Sequence, residues 1–478
     1  MATGTITETE EAIPLPQRPN ATQNTTSNTT PPEITEKRSS FLHNRDSFKL
    51  LSVGFSFFVA GINDGSIGAL LPYVIREYNI NTAIVSSLYG ANFFGWLFAA
   101  MTNTHLCQYL DLGAMLALGA VCQVAAHALR AWDPPFGLFV VSFWIVSIGQ
   151  AFQDTHGNTF VAGVKGAHRW LAFIHAMYMA GCLVSPFVST AIASAGIVSK
   201  WYLFYTFPLG IGVANLAIVL IAFRDSLKFK AKSQISSETR HAEATESDGD
   251  TQTGDSRFVR GAQEASPESL PVSRNKGAWS LISTTARTPS VWFLCTFFFF
   301  YLGSVLTASG WVVEYLVDVR HGKLSQMGYV PAGFNGGALL GRLFLAEPTH
   351  RFGERKMVFI YCLMAIVLQL IFWLVPNIIA ASVAVSFIGF FTGPLFATGI
   401  SLGSKLFPEH IRSTALALVF VFAQMGGSLF PVITGVVSSN AGVKILQPML
   451  VGLLSATAIS WLLVPRPKDA AHPGLHQE

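Results

Sequence analysis

The feature that most constrains the fold of this chain is a series of apolar runs, each long enough to cross a membrane. A transmembrane helix needs about 20 consecutive, mostly apolar residues. Runs of that length lie near 48–73, 84–102, 112–131, 136–163, 170–195 and 201–223, and again near 290–317, 326–346, 357–375, 380–404, 411–437 and 446–465. Charged residues make up only 12% of the chain, whereas soluble domains carry about 25%. The sequence therefore predicts an all-α integral membrane protein with twelve transmembrane helices.

Polar segments divide these runs into two groups of six. Residues 1–46 are predicted to be a disordered tail, 47–223 a first six-helix bundle, 224–289 a flexible linker, 290–465 a second bundle and 466–478 a second tail. The tails and linker have too few large apolar side chains to bury a core. If the N-terminus is cytoplasmic, most loop Lys and Arg residues lie on the cytoplasmic side, and Arg130 lies in an outer loop. Both termini and the linker are therefore predicted to be cytoplasmic.

Three N-glycosylation motifs begin at Asn20, Asn24 and Asn28 in the N-terminal tail. Such motifs are used on surface segments of secreted chains. A cytoplasmic tail is not exposed to that modification, so the three motifs are predicted to be unused. The sequence does not specify which membrane holds the protein, and the plasma membrane is the default expectation.

The two groups of runs resemble each other in sequence. Residues 180–186 (AGCLVSP) match residues 425–431 (MGGSLFP), and residues 95–98 (GWLF) match residues 341–344 (GRLF) at nearly the same offset. Repeated halves are typical of secondary transporters, whose substrate site lies at the repeat interface near the middle of the membrane. The pattern predicts two pseudo-repeated bundles around a central site.

Two carboxylates lie inside apolar runs of the first half. Asp64 follows Asn63 in the first run, and Asp154 has Gln150 and Asn158 four residues away on either side, on the same helix face. An ionisable side chain at membrane depth is costly, and it marks a functional site by default. Burial in a low dielectric disfavours a charged carboxylate, so such a group can take up and release a proton. The alternative is a structural aspartate that is permanently bonded to a neighbouring helix.

Other polar and aromatic residues in the runs are weaker candidates. His175 is either a second proton-transfer group or a histidine packed between helices. Tyr178 and Trp311 could stack on a sugar ring, although such aromatics are usually packing residues or interfacial anchors. The second half offers few polar groups. The remaining candidates are Asn63, Gln150, Asn335 and Gln424 for substrate binding, Asn92, Gln153 and His156 for the polar lining, and Glu314 with Asp318 for an outer gate.

A loop signature begins at the end of the eighth run and continues towards the ninth. It consists of Gly341 and Arg342, followed by Arg351, Gly353, Arg355 and Lys356. With this signature the chain resembles the major facilitator superfamily, and the resemblance implies that these residues act in gating, with Glu347 and Glu354 as ion-pair partners. The alternative for the basic residues is a simple positive-inside anchor.

Within that superfamily the chain is similar to the fucose–proton symporter branch, especially its fungal members. The residues that carry this resemblance are 61–64 (GIND) with Pro72, Gln153 and Asp154 with Asn158, 174–178 (IHAMY) with Ser185 and Pro186, and 301–303 (YLG) with Gly310 and Trp311. The resemblance implies the major facilitator fold, with Asp64 and Asp154 in proton coupling and sugar contact and Asn158 as an amide ligand. Val305 stands where the branch often has an acidic residue, which favours a change of substrate, stoichiometry or direction.

Together these features predict proton-coupled uptake of a sugar or similar small polar solute by alternating access. Export of a fungal secondary metabolite by proton antiport would use the same carboxylates, and a non-transporting nutrient receptor is a third hypothesis. The predicted partners are the lipid bilayer, the solute and protons, with no cofactor, metal or nucleic acid. The sequence contains no phosphate loop, HExxH motif or nucleophile elbow. An enzyme or an ATP-driven pump is therefore not predicted.

Overall fold

The computed structural model describes residues 32–227 and 283–466, and the regular elements within those ranges are helices. They are α1 (Pro32–Glu77), α2 (Thr82–Val85), α3 (Ser87–Leu106), α4 (Leu112–Arg130), α5 (Phe136–Ala162), α6 (Ala167–Ala193), α7 (Thr206–Ala222), α8 (Pro289–Asp318), α9 (Leu324–Met327), α10 (Val330–Phe344), α11 (Ala346–Phe352), α12 (Glu354–Leu374), α13 (Ile378–Thr392), α14 (Leu395–Leu406), α15 (Glu409–Ala441) and α16 (Leu446–Leu463). Short 3₁₀ helices cover Trp201–Tyr205, Arg224–Ser226 and Val443–Ile445.

Among the described residues, eleven helical segments are long and apolar enough to cross a membrane. The predicted eighth span is shorter, because α10 has 15 residues and is flanked by the short helices α9 and α11. Pro331 lies at the start of α10 and Pro348 in the first turn of α11. Proline lacks an N–H and favours the first turn of a helix, so each proline begins a new helix instead of continuing the old one. The all-helical membrane fold is otherwise as predicted.

The first helix differs from prediction at its N-terminal end. Residues 32–46 belong to α1, although the sequence predicts a disordered tail as far as residue 46. The segment after Pro32 contains no Gly or Pro, and lengthening a helix avoids the costly nucleation step. Residues 1–31, 228–282 and 467–478 lie outside the described residues. The three glycosylation motifs and most of the predicted linker fall there.

Helices α1 to α7 form the first half of the bundle and α8 to α16 the second. The long helices alternate in direction, so the end of α7 at Ala222 and the start of α8 at Pro289 lie at one face, which we call the linker face. We call the opposite face, with Glu77 and Ala193, the distal face. The halves meet where α6 packs on α10 and where α15 packs on α2 and α3.

Two side-chain hydrogen bonds join described residues of the two halves, one near the distal face and one near the middle of the bundle. The Thr82 hydroxyl donates a 2.8 Å hydrogen bond to the Gly435 carbonyl near the distal face. At mid-depth, the Asn335 amide donates a 3.0 Å hydrogen bond to the Cys182 carbonyl. These bonds fasten α15 and α10 of the second half to the first half.

Close packing of α1 on α6 depends on Gly61. A Cβ atom at this position would overlap the carbonyl of Tyr178 and would lie 2.9 Å from the backbone nitrogen of Cys182. Because glycine has no side chain, the two backbones can approach closely. The approach brings Asp64, one turn further along α1, next to the Tyr178 side chain.

Candidate functional site

A cavity of about 200 Å³ lies between the two halves of the bundle. Its polar lining in the first half comes from Ser56, Asp64, Tyr89, Asn92, Gln150, Gln153, Asp154, His175 and Tyr178. The second half contributes mainly apolar and aromatic residues, together with Ser309, Arg342 and Gln424. Both intramembrane carboxylates of the first half therefore face one cavity at the interface of the halves.

Asp64 accepts hydrogen bonds from three side chains. Its Oδ1 accepts from the Asn63 amide at 2.9 Å and from the Gln150 amide at 3.0 Å, and its Oδ2 accepts from the Tyr178 hydroxyl at 2.8 Å. Gln150 also donates to the Ala60 carbonyl at 3.2 Å. Hydrogen bonds to a carboxylate are charge-assisted and stronger than neutral ones. Asp64 thus ties α5 and α6 to the middle of α1.

The arrangement extends to Arg130, which the sequence places in an outer loop. That prediction is wrong, because Arg130 ends α4 and is fully buried. Its Nη1 donates to the Asn63 side-chain oxygen at 2.7 Å, and its Nε donates to the Ser142 hydroxyl at 2.7 Å. The guanidinium also lies 3.9 Å from the centre of the Phe143 ring. An arginine can be buried here because polar groups and an aromatic face replace its hydration.

A periodic pattern in the sequence could have revealed this buried face of α4. Gln123, His127 and Arg130 are spaced i, i+4 and i+7, so they share one side of the helix, and all three are buried. The Gln123 amide donates to the Gln153 side-chain oxygen at 2.7 Å. A polar stripe at helical spacing inside an apolar run indicates an inward-facing surface.

Asp154 lies on α5 and accepts a 3.2 Å hydrogen bond from the Asn158 amide, which also donates to the Asp154 carbonyl at 3.0 Å. The structure therefore brings Asn158 to Asp154 one turn away, although Asn158 is not in the cavity lining. Gln150, one turn in the other direction, bonds Asp64 instead. The single polar face predicted on α5 is divided between the two carboxylates.

The other polar side chains of the first half have separate surroundings. Gln153 lines the cavity but also donates to the Leu116 carbonyl on α4 at 3.1 Å. His156 faces α3, where its Nε2 lies 2.9 Å from the Asn103 side-chain oxygen. Asn92 lines the cavity and accepts a hydrogen bond from the Ser147 hydroxyl. Of these three, His156 is the one turned away from the cavity.

His175 lines the cavity between two phenyl rings. Its ring lies edge-on to Phe57 at 5.5 Å and 6.2 Å from the ring of Phe396, which belongs to the second half. On α6, His175 is one turn closer to the linker face than Tyr178. The aromatic contact therefore joins the two halves on that side of the carboxylates.

The candidate residues of the second half differ in whether they line the cavity. Gln424 lines the cavity, whereas Trp311 is fully buried and donates its indole N–H to the Pro431 carbonyl at 3.1 Å. Asn335 is used in the bond to Cys182 between the halves. Trp311 and Asn335 are absent from the cavity lining, so the prediction that they contact substrate has no support in the geometry.

Arg342 has a different position from the rest of the loop signature. It lines the cavity and donates from Nε to the Gly393 carbonyl at 3.1 Å, where the chain passes from α13 to α14. The preceding Gly341 allows α10 to pack on α13, since a Cβ there would overlap the Phe390 carbonyl. Arg342 was not anticipated as a cavity residue, because the sequence associates it with the loop.

The remaining signature residues lie at the linker face. Glu354 pairs with Lys405 at 2.7 Å and not with the basic residues of its own segment. The Arg355 side chain donates to the carbonyls of Leu462 and Val464 at the end of α16. Arg351 and Lys356 are exposed. Gly353 has a φ of +96°, a conformation that favours glycine.

Two further sequence features lie outside the cavity lining. Val305 packs against the apolar cores of the bundle and is not among the residues that line the cavity. Glu314 is buried near the end of α8, and its Oε2 has no hydrogen-bond partner among the described residues. Glu314 and Asp318 lie in the last two turns of α8, towards the distal face.

Comparison with known proteins agrees with this architecture. The profile of the Major Facilitator Superfamily matches residues 53–431 and 294–478. The Bypass of stop codon protein 6 of Saccharomyces cerevisiae is 24% identical over 422 residues, which cover 86% of this chain and 81% of that protein.

Solved structures show the same fold at low sequence identity. The D-xylose-proton symporter superposes with a TM-score of 0.64 at 11% identity, covering 88% of this chain and 98% of that chain. The E. coli fucose:proton symporter superposes with a TM-score of 0.58 at 16% identity, covering 87% and 98%. The resemblance to the fucose symporter branch is consistent with this likeness in fold.

Proposed function

The chain belongs to the Major Facilitator Superfamily, and from that premise we propose that it takes up a sugar or similar small polar solute together with protons. The observation that carries the proposal is that Asp64 and Asp154 line one cavity between the two halves. A secondary transporter needs its coupling groups at this interface, because rocking of the halves exposes the interface to each side in turn. Superfamily membership itself indicates a membrane transporter and not an enzyme.

The two carboxylates differ in how their oxygens are used. Asp64 accepts three side-chain hydrogen bonds, which use three of the about four lone-pair positions of a carboxylate. Among the described side chains, Asp154 accepts a hydrogen bond from Asn158 alone, on Oδ1. We therefore assign proton loading to Asp154 and the organisation of the first-half wall to Asp64. Paired carboxylates in unequal surroundings are a common way to separate such roles.

The solute class follows from the remaining lining. Amide groups of Asn92, Gln150 and Gln424 face the cavity, and amides can both donate to and accept from hydroxyl groups. The two solved relatives are symporters of xylose and fucose, which supports a sugar-like solute. A cavity of about 200 Å³ suits a small solute better than a large one.

Proton-antiport export of a less polar metabolite is the second candidate. It is favoured by the second-half wall, where Leu302, Leu306, Phe396 and Phe420 line the cavity. Apolar and aromatic walls bind apolar ligands well. The direction of proton movement relative to the solute separates this candidate from symport.

We also propose that the linker face is cytoplasmic, with both termini on that side and the plasma membrane as the location. The described residues Arg351, Lys356 and Lys405 lie at this face, and Arg351 and Lys356 are exposed. Cytoplasmic loops carry an excess of Lys and Arg. Labelling of an exposed cysteine placed at 356 by an impermeant reagent, in intact and in permeabilised cells, tests the orientation.

The proposed function is tested by proton flux in proteoliposomes that contain the full chain. Sugars and small organic solutes are screened for a proton current, and active solutes are repeated with Asp64→Asn and Asp154→Asn. We expect a solute that drives protons inward with it in the wild type, and no proton-driven accumulation with either variant. Unchanged accumulation in both variants would overturn the assignment, and outward solute movement against an inward proton current would establish export.

A further inference from the structure

Arg130 lies outside the cavity lining and near the distal face. Its guanidinium is fully buried and contacts the aromatic rings of Phe143 at 3.9 Å and Tyr205 at 5.1 Å. Nη2 has no hydrogen-bond partner among the described residues. The neighbours of Arg130 therefore hold its guanidinium in place but compensate its charge only in part.

A buried arginine keeps its charge, because the guanidinium is not deprotonated in proteins. Removing such a charge from water is costly unless an anion compensates it. Arg130 bonds the neutral oxygens of Asn63 and Ser142. Asn63 in turn donates from its amide nitrogen to Asp64. The amide thus carries a continuous hydrogen-bond chain from the cation to the carboxylate.

The other titratable groups facing this chain do not replace Asp64 as the anion. His127 lies one turn before Arg130 on α4, and its ring stacks on Tyr205. Both of its ring nitrogens are buried without a partner among the described residues. On the cavity side, Tyr178 donates to Asp64 and stays neutral in that role. Asp154 accepts from Asn158 on its own helix, and Asp64 is the carboxylate that the Asn63 amide joins to Arg130.

We propose that Arg130 is the fixed counter-charge of Asp64, and that Asn63 transmits its effect as a bridge. Arg130 is a positioning residue, since it does not reach the cavity. Its charge favours the ionised form of the Asp64 carboxylate, which accepts from Gln150 and Tyr178. Whenever Asp64 loses its charge, Arg130 is left as an uncompensated cation in the aromatic cluster, and the packing of α1 on α4 and α5 becomes less stable.

A double-mutant cycle on the stability of the purified full chain tests this pair directly. The variants are Asp64→Asn, Arg130→Met and the double variant, and the thermal unfolding midpoint is measured for each in one detergent at one pH. Removing one partner of a buried pair leaves an unpaired charge, whereas removing both is often nearly neutral. We therefore expect Asp64→Asn to lower the midpoint and Arg130→Met in the same chain to recover most of the loss.

Lys200→Met is the matched control, because Lys200 is exposed near the same face and the substitution removes the same charge. It should give no recovery in the Asp64→Asn background. An Arg130→Met effect that adds to the Asp64→Asn effect, or a double variant that fails to fold, would show that Arg130 only packs. So would an Asp64→Asn variant as stable as the wild type. Coupling between two sites is measured by such non-additivity.

Transport gives a second readout, which rests on the proposed function. Arg130→Lys keeps a positive charge, so we expect it to retain more proton-driven accumulation than Arg130→Met does, at equal amounts of folded protein. An equal loss of accumulation in both variants would show that the charge of Arg130 has no role in transport. The stability cycle does not require a known solute. The experiments therefore distinguish an error in the counter-charge proposal from an error in the transport proposal.

Discussion

The hydroxyl of Tyr178 donates a 2.8 Å hydrogen bond to Oδ2 of Asp64 and thereby links α6 to the carboxylate of α1. The bond depends on the close backbone approach at Gly61, one turn earlier on α1. A side chain selected as a sugar-stacking candidate is thus also a donor that orients the carboxylate. Its aromatic ring and its hydroxyl have separate consequences that can be tested one at a time.

Tyr178→Phe removes the hydroxyl and keeps the ring. A hydrogen bond to a charged group contributes about 1.5–3 kcal/mol, so we expect a lower unfolding midpoint and weaker proton-driven accumulation. Tyr109→Phe is the matched control, because Tyr109 is exposed on the loop after α3. Thermal unfolding of the purified variants measures the effect. Equal midpoints for the two variants would show that the hydrogen bond adds no stability.

Gly61→Ala places a methyl group against the Tyr178 carbonyl of α6. Overpacking in a close-packed interior costs about 1–3 kcal/mol, and here the obstacle is backbone, which cannot rotate away. Gly452→Ala is the control, since a Cβ at Gly452 has no atom within 4 Å. We expect Gly61→Ala to reduce the yield of monodisperse protein and its unfolding midpoint, and Gly452→Ala to leave both unchanged.

The fold could be predicted from the sequence because apolar runs of spanning length have few alternatives in a membrane. The eighth span was predicted least well, because Pro331 begins a new helix inside the run and Pro348 begins another just beyond it. A count of apolar residues does not show where the chain turns. The same limit applies to the start of α1, since residues 32–46 are helical but contain no apolar run.

The candidate site could be predicted only in part. Costly carboxylates in apolar runs pointed to Asp64 and Asp154, and both line the cavity. Spacing on one helix could not show that Gln150 bonds a different helix from Asn158. Arg130 was missed because a cation at the end of a run looks like a loop residue. Trp311 does not line the cavity, and an aromatic residue has the same sequence signal in a core as in a binding site.

Thr82→Val should favour opening of the halves at the distal face. The substitution keeps the shape of the side chain and removes the 2.8 Å hydrogen bond to the Gly435 carbonyl. The net loss of about 0.5–1.5 kcal/mol corresponds to a roughly 2- to 10-fold shift between the closed and open states.

A cysteine introduced at Ser86 reports this shift, because Ser86 is buried beside Gly435 when the face is closed. We expect Thr82→Val to raise the rate of thiol labelling at position 86 above that in the Thr82 background. The chain without the introduced cysteine gives the background labelling of the five native cysteines. Thr102→Val serves as the control, since the Thr102 hydroxyl bonds carbonyls of its own helix.

The position of His175 allows two roles, and two substitutions can separate them. Its ring contacts Phe57 and Phe396 across the two halves, so it can close the cavity towards the linker face. It can also carry a proton, as the sequence suggested. His175→Phe keeps an aromatic ring and removes both nitrogens, whereas His175→Ala removes the ring as well. An edge-to-face pair contributes about 0.5–1.5 kcal/mol beyond the area it buries.

We expect His175→Phe to keep proton-driven accumulation in proteoliposomes and His175→Ala to lose it through a leak. The reason is that the histidine ring packs against two phenyl rings, while Asp154, the proposed proton carrier, already lines the cavity. Downhill solute exchange should continue in both variants, which distinguishes a leak from misfolding. If His175→Phe exchanges solute but cannot accumulate it, the ring nitrogens carry the proton and His175 joins the coupling residues.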